Sequence, residues 1–98
     1  MIPETGVALI TREREEQITK HNRTVIADVA FNNQYQLSVA AIGLIQSPMG
    51  AVSLPPKGWE EESWKKMQGK SYKERLIIAG ALIAAEIDRV TVEETKNE

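Results

Sequence analysis

The chain has no cysteine among its 98 residues, which excludes disulfide bonds, thiolate catalysis and zinc sites built on cysteine. It also lacks an excess of basic residues, since its formal net charge is -2 at pH 7. Because proteins bind phosphate backbones mainly through clustered Lys and Arg, a nucleic-acid partner is not expected. The missing cysteine agrees with a reducing, cytoplasmic location.

No apolar run is long enough to span a membrane. The longest run, Leu76 to Ala85, has about half of the roughly 20 residues that a membrane helix needs, and charges flank it. The first residues, Met1 to Thr5, carry no basic segment followed by an apolar stretch, so we expect no secretory signal. We therefore predict a cytoplasmic protein with no membrane partner.

Two common kinds of active site lack their residues. The chain has a single histidine, His21, and no glycine-flanked serine, which argues against nucleophilic catalysis. Its glycines are isolated and never form the groups that a P-loop or a dinucleotide-binding turn requires. Any nucleotide must therefore be bound in another way.

The chain does have the composition of a folded protein, with 42% hydrophobic and 27% charged residues. Its length allows one domain, residues 1–98, and only a thin core. Because association would bury further surface, we predict a homo-oligomer.

Helical patterns cover most of the chain and predict an all-α fold, a small bundle of three main helices plus one short helix. The first helix is predicted from about Thr5 to His21, with Asn22 ending it. The second is predicted from a cap at Asp28 to about Gln46. Its buried face is predicted to consist of Leu37, Ala41, Leu44 and Ile45.

A loop and the short helix come next. Residues Ser47 to Gly58 are rich in proline and glycine and are predicted to form a loop. The short helix is predicted from about Trp59 to Met67, with Trp59 and Trp64 anchoring the loop to the body of the protein.

The last helix is predicted to be the centre of the core. A capping box, Ser71 to Glu74, starts it, and it runs to about Glu94, with a frayed tail from Thr95. The helix is apolar nearly all round, so we expect neighbouring helices to cover most of its sides. The side chains expected to be buried are Leu76, Leu82, Ile83 and Ile87.

Carboxylates on helices are the residues best suited to chemistry, because helical bundles use such groups to hold Mg²⁺ and, through it, a triphosphate. Glu13 and Glu16 lie three residues apart on one face of the first helix, next to Gln17. Glu86 follows a long apolar run, where a carboxylate needs a partner or an ion. The predicted metal ligands are Glu13, Glu16, Asp28 and Glu86.

Each of these acids also has an explanation without a metal. The glutamates of the first helix alternate with arginines and can form a solvated, salt-bridged face. Asp28 can cap a helix, and Glu86 can pair with Arg89 or with Arg75.

Three segments, Ile10 to Ile18, Gln36 to Ala41 and Tyr72 to Arg89, follow one another in an order that resembles a family of small bacteriophage and prophage proteins described as MazG-like. The last segment is the most specific, and the resemblance spans nearly the full chain. MazG-type enzymes are all-α, oligomeric nucleoside triphosphate pyrophosphatases that use helix-borne acids with Mg²⁺. The resemblance implies this fold, cofactor and activity.

The chain departs from the family's pattern in two places. Of the His-Asp-Asp element that is common after the first helix, only Asp28 is kept, between Ala27 and Val29. Tyr35 to Leu37 stands where the family has Gly-Glu-Leu or Gly-Gln-Leu. The acidic site that the resemblance implies is therefore degenerate here.

We predict a phage- or prophage-derived, MazG-like protein that binds or hydrolyses nucleoside triphosphates with Mg²⁺. Lys73 and Arg75 are predicted to bind the substrate. The alternative is a non-enzymatic phage protein with an interaction or regulatory role. In that case the same acids are surface charges, and the loop with its tryptophans contacts a partner.

Overall fold

The computed structural model describes residues 4–46 and 54–96. These residues are 77% helical and contain no strand, so the predicted all-α class is confirmed. They form five helices, which are α1 (Gly6–His21), α2 (Val25–Phe31), α3 (Gln36–Ile45), α4 (Glu61–Gln68) and α5 (Tyr72–Lys96). Within these two stretches, none of the helices combines the length and the hydrophobicity that crossing a bilayer requires.

Helix α1 has the predicted ends. The Thr5 hydroxyl accepts a hydrogen bond from the Ala8 amide at 3.1 Å, which satisfies one of the free amides of the first turn. Asn22 ends the helix in the left-handed conformation, with φ of 54°.

The second predicted helix is wrong, because α2 and α3 replace it. Thr24 caps α2 by accepting a hydrogen bond from the Ala27 amide at 3.1 Å, so Asp28 lies inside the helix and is not its N-cap. Helix α3 starts after Tyr35, whose φ of 65° is left-handed. The chain thus has four helices before α5 among the described residues, where three were predicted.

The core lies between α3 and α5, the two helices with the most extensive contact. They run antiparallel, since Arg75 donates a hydrogen bond to the Leu44 carbonyl at 2.8 Å while Arg89 lies over the ring of Tyr35. Small residues in both helices allow this close approach. The buried apolar side chains are Leu37, Ala40, Ala41, Leu44, Trp64, Ile78, Ala79, Leu82 and Ala85. Ile45, predicted to be buried, is exposed.

Helix α5 differs from its prediction on one side. Leu82 is fully buried, but Leu76, Ile83 and Ile87 are 41%, 44% and 61% exposed. Helices α1, α2 and α3 pack against α5 without burying these three side chains, and Ile10 of α1 reaches the same side at Gly80. The Ser71 hydroxyl caps α5 as predicted, by accepting from the Glu74 amide at 3.2 Å. The prediction of a frayed tail from Thr95 is wrong for Thr95 and Lys96, because α5 continues to Lys96.

The two tryptophans, predicted to anchor the preceding loop to the body of the protein, pack against each other at the start of α4. Trp64 is fully buried in the core, and the Trp59 ring packs edge-on against it with 6.1 Å between centroids. Most of the predicted loop, residues 47–53, lies outside the described residues. Residues 54–58 contain no helix and end at Gly58, whose φ of 84° favours glycine.

Candidate functional site

A cleft of about 490 Å³ opens between α1, α4 and the first turns of α5. This volume is in the usual range of small-molecule sites. The cleft combines acidic, basic and apolar side chains. They are Glu13, Glu16, Gln17, His21, Arg23, Ser63, Lys66, Met67, Lys70, Glu74, Ile77 and Ile78.

Helix α1 supplies two of the three carboxylates that line the cleft. Glu13 and Glu16 are both half-buried, and the side-chain amide of Gln17 donates to the Glu13 carboxylate at 3.4 Å. Gln17 is 96% buried, and its Oε1 atom has no hydrogen-bond partner among the described residues. Because an unpaired buried oxygen costs free energy, this atom is a candidate ligand for a cation or a water molecule. Glu16 also lies 3.9 Å from Lys20, in a solvent-exposed pair.

Three cations line the rest of the cleft. Lys66 comes from α4, and Lys70 comes from the turn before α5 and lies 3.8 Å from Glu74. Arg23, in the turn after α1, lies over the ring of Trp59 at 4.6 Å. Burial lowers the pKa of Arg23, and the negative charges of Asp28 and Glu13 partly offset this effect.

Asp28 lies outside the cleft, in a buried polar cluster with Arg14. Its Oδ1 accepts from the Asn32 amide at 2.8 Å, and its Oδ2 lies 3.9 Å from a guanidinium nitrogen of Arg14. Arg14 also donates to the Arg23 carbonyl at 2.9 Å and lies 3.9 Å from Asp88. Burial raises the pKa of Asp28, while the Asn32 hydrogen bond and the charge of Arg14 act against this shift. The predicted metal ligand is an internal partner of an arginine.

Glu86 is a partner of Arg89, one of the two alternatives that the sequence left open. Arg89 is 99% buried and donates two hydrogen bonds to the Glu86 carboxylate and one to Glu93. Its guanidinium also lies 5.7 Å from the centre of the Tyr35 ring. The hydrogen bond to Glu86 is the main reason why the pKa of Arg89 is raised.

The two predicted substrate-binding residues occupy different environments. Arg75 is 98% buried and donates to the carbonyls of Lys70 and Leu44, so it holds the start of α5 against the end of α3. Lys73 is exposed on α5 and is not among the residues that line the cleft.

The structure thus brings together two of the four predicted metal ligands. Glu13 and Glu16 share the cleft, whereas Asp28 and Glu86 are held by arginines elsewhere. In residues 4–46 and 54–96, no three His, Asp or Glu side chains are close enough to hold a metal ion by themselves.

Sequence reasoning missed the cations of the cleft, Arg23, Lys66 and Lys70. They lie in three different segments, and no spacing rule within one helix connects them with Glu13 and Glu16. The chain matches no family model, and the comparisons with curated proteins and with solved structures found no match.

Proposed function

We propose that the chain binds a nucleoside triphosphate together with Mg²⁺ in the cleft between α1, α4 and α5. The observation that carries this proposal is the composition of the cleft, where three carboxylates, Glu13, Glu16 and Glu74, and three cations share one space of about 490 Å³. A metal–triphosphate complex presents both charges to which such a cleft is complementary. The resemblance to MazG-like proteins supports the same ligand.

Glu13 and Glu16 fit the role of metal ligands. Mg²⁺ in phosphate-binding enzymes keeps several waters and is held by one or two carboxylates together with substrate phosphates, so a third protein carboxylate is not required. The free Oε1 of Gln17, on the same helix face, adds a neutral oxygen of the kind that Mg²⁺ or its waters accept. When bound, the ion would neutralise phosphate charge and polarise the phosphoryl oxygens.

The remaining lining residues fit the rest of the ligand. Lys66, Lys70 and Arg23 provide donors for phosphate oxygens. Met67 and the isoleucines of α5, Ile77 and Ile78, provide apolar surface for the sugar and base.

The test is titration calorimetry with ribo- and deoxyribonucleoside triphosphates in Mg²⁺ and in EDTA, run beside an assay of pyrophosphate release. The double variant Glu13→Gln/Glu16→Gln should remove the Mg²⁺-dependent part of binding. Lys66→Gln should weaken binding about tenfold, the loss expected for one charge-assisted hydrogen bond. The matched controls are Glu15→Gln and Lys65→Gln, because both residues are exposed neighbours outside the cleft lining. Absence of binding by the folded wild-type protein would refute the proposal.

The interaction or regulatory class is the second candidate, and a separate observation favours it. Several large apolar side chains of α3 and α5 are exposed, among them Val39, Ile42, Ile83 and Ile87. Such clusters of exposed apolar residues mark protein-binding surfaces more often than small-molecule sites.

A further inference from the structure

Helix α5 carries a row of exposed apolar side chains, Leu76, Ile83 and Ile87, which we call the α5 row. The spacings of seven and four residues place all three on one face of the helix. Their exposed fractions are 41%, 44% and 61%, so each side chain keeps a large part of its surface open to solvent. An isolated exposed isoleucine needs no explanation, but a continuous row over three turns does.

An apolar side chain of α1 fills the gap in the middle of the α5 row. Gly80 lies on the face of the α5 row, and the Ile10 side chain of α1 fills the space where a Cβ of residue 80 would be. The gap in the row at Gly80 is therefore closed by another apolar side chain. Helix α3, which packs along α5, also carries exposed apolar side chains, Val39 and Ile42.

The charges at the two ends of the α5 row are opposite. Exposed Lys73 precedes the row, and exposed Glu94 follows it. In a parallel pair of α5 helices, each of these residues would meet its own copy and be repelled. In an antiparallel pair with its axis near Ile83, Lys73 comes close to the partner's Glu94 at both ends.

We infer that a second copy of this chain packs on the α5 row, with the two α5 helices antiparallel about a two-fold axis near Ile83. Ile83 then contacts its own copy at the centre of the interface. A two-fold interface uses the same surface on both subunits, which a self-complementary row of this kind allows. This inference does not depend on the nucleotide cleft, whose lining residues do not include the α5 row.

The first test is the oligomeric state of the full chain, measured by sedimentation velocity at several concentrations. The wild-type chain should be a dimer. Ile83→Glu and Ile87→Glu should each raise the dissociation constant by about tenfold or more, because Ile83→Glu brings two like charges together at the axis and Ile87→Glu places a charge against the apolar row of the other copy. Ile26→Glu is the matched control, since Ile26 is an 83% exposed isoleucine on α2, and it should leave the dimer intact. Circular dichroism checks that each variant is folded.

The second test is cysteine cross-linking, which is clean because the chain has no cysteine of its own. Ile83→Cys should cross-link with itself under mild oxidation. Lys73→Cys and Glu94→Cys should cross-link when the two variants are mixed and refolded together, but not when either is alone.

Three outcomes would overturn the inference. One is a monomer at every concentration. If that monomer also co-sediments with lipid vesicles, the α5 row binds a membrane surface and not a second copy. Another is a dimer that Ile83→Glu and Ile87→Glu leave unchanged. The last is efficient cross-linking of Lys73→Cys with itself, which requires a parallel pair.

Discussion

Glu86→Gln separates a structural from a metal-binding role for this carboxylate. Glu86 accepts two hydrogen bonds from Arg89, which is 1% exposed, so the substitution replaces one of the two carboxylate partners of a buried guanidinium with a neutral amide and keeps only Glu93. Hydrogen bonds to charged groups contribute about 1.5–3 kcal/mol, so we expect the free energy of unfolding to fall by about 2 kcal/mol. For a domain of this size, that loss lowers the melting temperature by about 8–16 °C.

The assay is urea denaturation of wild type and Glu86→Gln, in Mg²⁺ and in EDTA. A structural role predicts the same loss of stability in both buffers. Glu62→Gln is the control, because Glu62 is an exposed glutamate of α4 that contacts neither Arg89 nor the α5 row. The reasoning is refuted if the variant is as stable as wild type, or if Mg²⁺ stabilises wild type and not Glu86→Gln. The second result would make Glu86 a metal ligand.

Three further predictions concern packing, titration and a hydrogen bond. Gly80→Ala places a Cβ 2.5 Å from Cδ1 of Ile10. Its effect on the free energy of unfolding should therefore be more favourable by about 1 kcal/mol or more in an Ile10→Ala background than in wild type. Equal effects in both backgrounds would contradict this contact. Because burial raises the pKa of Asp28 above its unfolded value, its contribution to stability is largest below about pH 4 and is lost as the pH rises through the folded pKa. The urea midpoint of Asp28→Asn should therefore rise relative to that of wild type between about pH 4 and pH 7. A relative rise of the wild-type midpoint over this range would contradict the prediction. Trp59→Phe removes the hydrogen bond from the indole N–H to Asn32 and should cost about 1 kcal/mol, but less when Asn32 is already alanine.

Local capping chemistry explains which parts of the fold the sequence could predict. The ends of α1 and the start of α5 were predicted correctly, because Thr5, Asn22 and Ser71 satisfy backbone groups within a few residues of themselves. The fold class follows from the same helical patterns. These signals are all read within one turn of the chain.

The break between α2 and α3 could not be predicted in this way. It contains neither proline nor glycine, and Tyr35 takes a left-handed φ that is uncommon for an aromatic residue. Distant contacts hold it: the Gln36 side chain donates to the Lys57 carbonyl at 3.4 Å, and the Trp59 indole donates to Asn32 at 2.8 Å. A pattern read along neighbouring residues contains none of this information.

The candidate site was predicted where its residues share one helix face and missed where it depends on helix packing. The spacing of Glu13 and Glu16 places both in the cleft, since one face of α1 lines it. Asp28 is paired with an arginine of another helix, Arg14, whereas the arginine beside Glu86 is Arg89 of the same helix, a pairing that the sequence offered as an alternative. A buried carboxylate that already has a guanidinium partner gains less from a cation than a half-buried one in an open cleft, because its charge is already compensated. The cations that surround a carboxylate therefore decide whether it serves the fold or remains free for a ligand, and a cation that comes from another helix, as Arg14 does for Asp28, cannot be read from the sequence around the carboxylate.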